Sequence, residues 1–127
     1  RRLPVIVGAD LNAVPDSDEV HILTGRSPGV RGVVFSDVWE IVGAGGRLGE
    51  QGVTWNPRNP HLANTAWPNR RLDYLLVSWP RPKPIGNPIR AWIAGDQPVN
   101  GRYPSDHFAV VADIRAGRPP EKASDSE

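Results

Sequence analysis

The apolar residues of this chain come in short runs, and proline and glycine stand between them. Val5-Ile6-Val7, Leu72-Asp73-Tyr74-Leu75-Leu76-Val77, Ile89-Arg90-Ala91-Trp92-Ile93-Ala94 and Phe108 to Ile114 are rich in β-branched and aromatic side chains. Their length and composition predict strands, the first ending at Gly8 and opening into a loop. The breaks between them are severe. Gly43 to Gly52 holds five glycines in ten residues, a flexible connection that lacks the Gly-Lys-Ser/Thr ending of a phosphate-binding loop. Asn56-Pro57-Arg58-Asn59-Pro60 excludes a central strand and a helix alike, and Pro80-Arg81-Pro82-Lys83-Pro84 with Pro88 predicts a stiff surface excursion.

Two short helices fit between the strands. Pro15-Asp16-Ser17-Asp18 offers helix-capping chemistry ahead of Glu19 to Thr24, with Gly25 as the stop and His21 as a surface or packing residue. Ser36 to Val42 predicts another, with Ser36 as its cap and Val38, Trp39, Ile41 and Val42 as its apolar face. Gly52-Val53-Thr54-Trp55 resumes extended structure. Strands interleaved with short helices predict an α/β (α+β) fold, a mixed sheet covered by helices, over an all-β sandwich. Residues 1–115 form this unit, and 116–127, polar and without an apolar face, form a disordered tail.

With 127 residues, 39% of them apolar, the chain makes one domain or part of one. It has no cysteine, which excludes disulfides, thiolate metal sites and a cysteine nucleophile. No window approaches the roughly 18 apolar residues of a membrane span, which predicts a soluble domain, cytoplasmic or exported. The net charge of +1 makes no general case for nucleic-acid binding. Between Val53 and Gly95, however, six cations (Arg58, Arg70, Arg71, Arg81, Lys83 and Arg90) meet the single anion Asp73. That segment either favours anionic substrates or is a solvated basic face. Methionine is absent even at position 1, and Arg1-Arg2-Leu3-Pro4 runs almost directly into a strand, so the chain reads as the interior of a longer polypeptide.

Three polar clusters fall where a strand meets a loop: Gly8-Ala9-Asp10-Leu11-Asn12, Arg70-Arg71-Leu72-Asp73-Tyr74 and Ser105-Asp106-His107. Each alone has a plain structural reading: Asp10 and Asn12 can shape a turn, Asp73 can pair with Arg70 or Arg71, and Asp106 can cap a loop. Together they suit phosphoester hydrolysis, which needs an activated water, neutralised phosphoryl oxygens and help for the leaving oxygen. Asp10 is suited to accept a proton from water, and Asn12 to hold that water or a phosphate oxygen. Asp73 is suited to accept a ring N–H of His107, which fixes the tautomer and raises the basicity of the imidazole. Asp106 offers the hard oxygen that Mg²⁺ or Mn²⁺ prefers.

These clusters, with Thr54-Trp55 between them and Phe108-Ala109-Val110 at the end, resemble the ordered C-terminal motifs of the endonuclease/exonuclease/phosphatase superfamily, the DNase I-like hydrolases, over about residues 4 to 114. The resemblance implies part of a four-layered α/β sandwich in which two sheets pack face to face and metal-assisted hydrolysis occurs at one edge. By motif position, Asp10, Asn12, Asp73 and His107 are the catalytic residues and Asp106 and Asp10 the ligands of Mg²⁺ or Mn²⁺; Asn12 and His107, with Trp55 and Arg71 as residues able to line the site, are the expected substrate contacts. The family's Gly-Asp-Phe-Asn is Ala9-Asp10-Leu11-Asn12 here, with both polar groups kept. Members also carry, ahead of the matching segment, an asparagine-bearing strand and a glutamate that is the principal metal ligand. Neither has a counterpart here, which implies the C-terminal half of the domain, one sheet left uncovered and the missing N-terminal half as a partner. The substrate stays open between nucleic acid and a phospholipid or other phosphate ester, with the tryptophans either stacking on it or serving the core. The alternative to a phosphodiesterase is a non-catalytic fragment, or a nucleic-acid- or phosphate-binding module, descended from such an enzyme.

Overall fold

The computed structural model describes residues 3–43, 51–63, 65–78 and 85–117. Most of the glycine-rich connection, the Pro80 to Pro84 excursion and residues 118–127 of the expected tail lie outside them. Among the described residues, five strands and two short α-helices follow one another as β1 (Ile6–Asp10), α1 (Asp18–Thr24), β2 (Phe35–Asp37), α2 (Val38–Val42), β3 (Asp73–Ser78), β4 (Pro88–Ala94) and β5 (Ala109–Ile114), with a 3-10 turn at Pro60–Leu62. One sheet has the order β1-β3-β2 and the other pairs β4 with β5. Every pairing of these strands is antiparallel, so the fold is α+β, consistent with the DNase I-like type.

Strand β3 organises the core because its side chains are used on both faces. Tyr74 and Leu76 point to one side, where α1 supplies Val20 and Leu23, and Val7, Leu11, Ala13 and Phe35 complete the cluster. Leu75 and Val77 point to the other, where they meet Val38 and Trp39 of α2 and Ala91, Ile93, Val110, Ala112 and Ile114 of the second sheet. A strand with period-two side chains and apolar residues at every position from 74 to 77 can be buried only in this way. Strand β1 lies at the edge. Ile6, opposite Val77 in the register, remains 54% exposed, and no described strand pairs with the outer side of β1.

Local chemistry sets the ends of the helices. Ser17 caps α1, its hydroxyl accepting the Val20 N–H at 3.3 Å, and Gly25 ends it in the left-handed conformation (φ 79°). Two expectations are corrected. Strand β1 does not stop at Gly8 but runs to Asp10, because Gly8, Ala9 and Asp10 continue the ladder opposite Leu75, Tyr74 and Asp73. Ser36 does not cap α2, since its backbone pairs with Val77 in the sheet. Asp37 takes that place, accepting the Trp39 N–H at 3.2 Å. Two of the clustered glycines have a packing reason as well: a Cβ at Gly43 or Gly52 would come within 2.4 Å of the Trp39 indole. The backbone on both sides of the connection thus lies against that ring.

Asp37 has a second task. Its carboxylate, 3% exposed, meets the Arg71 guanidinium, 9% exposed, with one Nη 3.0 Å from Oδ1 and 2.8 Å from Oδ2. The guanidinium also lies over the Tyr74 ring. Removing one member of a buried pair strands the other charge, so Asp37→Ala should lower the free energy of unfolding by about 3–5 kcal/mol. Asp113→Ala, which breaks the exposed pair with Arg90, should cost less than about 1 kcal/mol. Urea unfolding of the two variants checks the contrast, and equal losses would contradict it.

Candidate active site

Asp10 is the last residue of β1 and Asp73 the first of β3, and the antiparallel register sets them opposite each other. Two carboxylates on neighbouring strands would repel. His107, from the turn before β5, lies between them. Its Nδ1 is 2.7 Å from Asp73 Oδ2, and its Nε2 is 3.8 Å from Asp10 Oδ2. An ionised carboxylate can only accept, so Nδ1 carries the proton toward Asp73, and Nε2 faces Asp10 across a gap too long for a direct hydrogen bond. Asp10, Asp73 and His107 bring one ligand atom each to within 4.8 Å of one another.

Each group is held from behind. Asn12, in the left-handed region at φ 48°, turns its N–H back onto Asp10 Oδ1 at 2.8 Å, a conformation that asparagine tolerates better than most residues. Asn12 itself is exposed. The His107 N–H donates to the Ser105 hydroxyl at 3.1 Å, and the Ser105 carbonyl accepts from the fully buried Asn59 amide at 2.7 Å. Thr54, also fully buried, joins both halves: its hydroxyl accepts the N–H groups of Leu72 (3.0 Å) and Asp73 (3.2 Å), and its carbonyl accepts that of Phe108 (2.6 Å). One residue thereby ties the strand end bearing Asp73 to the turn bearing His107.

Burial works against the charged form of His107, but it is outweighed. The hydrogen bond to Asp73 and the negative charges of Asp73, Asp10 and Asp106 together raise its pKa above the ordinary 6.5. Burial also pushes the Tyr74 hydroxyl up to about 12, so it stays protonated and donates to the Ala13 carbonyl at 2.6 Å.

Other expected residues lie elsewhere. Asp106 is exposed, its carboxylate accepting from the Ser105 hydroxyl at 3.2 Å, and it is not one of the three clustered ligands, although its charge reaches His107. Arg71, expected to contact substrate, is instead buried on Asp37. Trp55, expected to do the same, is 8% exposed, with the Arg70 guanidinium over its ring. His61 Nε2 lies 3.1 Å from the Tyr103 carbonyl. The sequence reading assigned no role to Thr54, Asn59 or Asp37. Asn59 was open to detection, since asparagine directly before a proline is a helix-start signature, and its side chain does accept the His61 N–H at 3.1 Å.

The family model of the Endonuclease/Exonuclease/phosphatase family matches residues 1–107. The chain belongs to that family, whose members are hydrolases of phosphate esters. No curated protein and no solved structure matches it.

Two outcomes follow from the geometry. A group whose pKa is higher in the folded chain gives its full stabilisation below the unfolded value and loses it as pH rises through the folded value. In metal-free buffer, the stability advantage of the wild type over His107→Gln should therefore shrink as pH rises past the ordinary 6.5 and through the raised folded value; chemical denaturation at several pH values measures it, and an advantage that grows with pH would be the wrong sign. Thr54→Val leaves the buried Leu72 N–H and the half-buried Asp73 N–H without their acceptor and should cost about 1–3 kcal/mol, again read from unfolding curves.

Proposed function

We propose that this chain carries the aspartate–histidine portion of a metal-dependent phosphodiesterase active site. The observation that carries the reading is the line Asp73, His107, Asp10, with one imidazole nitrogen held by a carboxylate and the other turned to a second carboxylate across an open gap. Asp73 orients the ring and stabilises its cation. Because the pKa of His107 is raised, the ring spends more of the neutral range as imidazolium, which suits Nε2–H to donate to a phosphoryl oxygen more than to take a proton. Asp10, exposed and acceptor-only, is then the group suited to take a proton from water, and the Asn12 amide beside it to hold that water or a phosphate oxygen.

The donor set fits a hard cation. Carboxylate oxygens from Asp10 and Asp73 are ligands that Mg²⁺ or Mn²⁺ accepts, and the His107 ring, with its protons turned to Asp73 and to the phosphoryl oxygen, is not one of them. Asp73 is already engaged by His107, so Asp10 is the oxygen left free, with Asp106 as a second carboxylate nearby. Such an ion supplies neutralisation of the phosphoryl oxygens. The glutamate that family members carry ahead of this segment would complete its ligands, so the N-terminal half of the domain is the partner this reading needs.

Hydrolysis of bis(p-nitrophenyl) phosphate in Mg²⁺ or Mn²⁺ tests the proposal. His107→Ala and Asp10→Asn should each lower the rate by about 10²- to 10⁴-fold. Chelation should abolish it. Undiminished turnover by His107→Ala would sink the assignment, and Mn²⁺ calorimetry on Asp10→Asn checks the cation separately from turnover.

A further inference from the structure

Arg70 has a chemistry that the site above leaves unused. Its guanidinium carbon lies 4.4 Å from the centre of the Trp55 ring and 4.7 Å from that of Trp67, so two indoles hold one planar cation. Its backbone is fixed as well: the Arg70 N–H donates to the Trp55 carbonyl at 2.8 Å, and the Trp55 N–H returns to the Arg70 carbonyl at 3.0 Å. Yet among the described residues no side-chain N–H of Arg70 has an acceptor, and its Nε is buried without one. Four other arginines have partners, Arg71 in Asp37, Arg90 in Asp113, Arg26 in Glu40 and Arg58 in the Asp96 carbonyl, and of the described arginines Arg70 alone is held between two indoles. A guanidinium whose faces are covered and whose two Nη groups, unlike the buried Nε, are neither buried nor bonded is prepared for an anion that takes both Nη donors.

Its position says which anion. Arg70 lies three residues before Asp73, no more than about 11 Å along an extended chain. Trp55 adjoins Thr54, the residue that ties Asp73 to the His107 turn. Trp67 is 62% exposed and Arg70 half-buried, so the cation is open to solvent on the Trp67 side while Trp55 is buried beneath it. The anchored charge therefore stands on the same framework as the Asp73–His107 pair, within the reach of one extended substrate.

We propose that Arg70, held by Trp55 and Trp67, is a subsite for a second phosphate of the substrate, beyond the one that is cleaved. The inference rests on the phosphodiesterase reading for the first phosphate. The second phosphate belongs to either of two sources, the next step of a nucleotide chain or another position on a phosphorylated polyol headgroup. Its chemistry at Arg70 is the same in both.

The full chain, ¹⁵N-labelled, is titrated with a 5′-phosphorylated thymidine dinucleotide and with an inositol bisphosphate, and with the unphosphorylated dinucleotide as the single-phosphate control. The Arg70 Nε–H resonance should shift with a two-phosphate probe and stay in place with the control. Calorimetry should show at least about tenfold tighter binding of that probe. Whichever of the two probes gains more identifies the source. Arg70→Gln should remove the gain and leave affinity for the control unchanged, while Arg70→Lys, which keeps the charge and loses the fork, should keep only part of it. An unmoved resonance, or equal gain in Arg70→Gln, overturns the subsite. His107→Ala separates the two readings: the Arg70 shift should persist in that variant. An Arg70-dependent gain beside diester turnover that His107→Ala leaves undiminished would overturn the catalytic reading and keep the subsite.

Discussion

Two carboxylates face each other across adjacent antiparallel strands, and much of the structure follows from what neutralises them. Asp10 and Asp73 are register partners, an arrangement that destabilises a sheet when nothing intervenes. Here an imidazole intervenes, bonded to one and turned toward the other, and a backbone N–H from Asn12 takes a further lone pair of Asp10. The register itself is set by packing. Tyr74 and Leu76 must face α1 while Leu75 and Val77 face the second sheet, so a slip of one residue would turn every apolar side chain to the wrong side and carry Asp10 away from Asp73. Hydrophobic burial thus decides where two negative charges meet, and their meeting makes a place where a cation is favoured.

Much of this was legible in the chain. Strands β3, β4 and β5 were readable because their runs are apolar, β-branched and bounded by breakers, and α1 because serine, acidic residues and glycine mark its ends in order. The three groups that cluster, Asp10, Asp73 and His107, were readable because each sits where a strand meets a loop. What local reading could not supply was competition between partners. Ser36 looks like a cap until β3 claims its backbone, and Gly8 looks like a stop until the ladder continues past it. Arg71 looks like a substrate ligand until Asp37, far away in sequence, is found beside it. Arg70 and Arg71 are the same residue type one position apart, and only the tertiary surroundings give them opposite fates, one buried in an ion pair and the other stacked on indoles.

The segment between α2 and β3 bears on how firmly the site can be held. Among its described residues it contains no strand and only a short 3-10 turn, yet it positions both Asp73 and His107. It does so with buried polar side chains in place of a ladder. Thr54 offers a hydroxyl and a carbonyl to three N–H groups on two other segments, and Asn59 caps its own turn with one amide atom while holding the Ser105 carbonyl with the other. Fully satisfied buried polar groups of this kind specify one geometry because each alternative leaves a donor or acceptor unpaired in a dry environment. That explains how a proline-broken stretch can fix a 2.7 Å contact between residues 34 positions apart. It also explains why the fixed part ends where it does. Thr54, Trp55 and Asn59 are buried, whereas Trp67, on the same segment, stands open to solvent. Buried polar contacts are concentrated under the Asp73–His107 pair, and the exposed indole with Arg70 against it lies outside them.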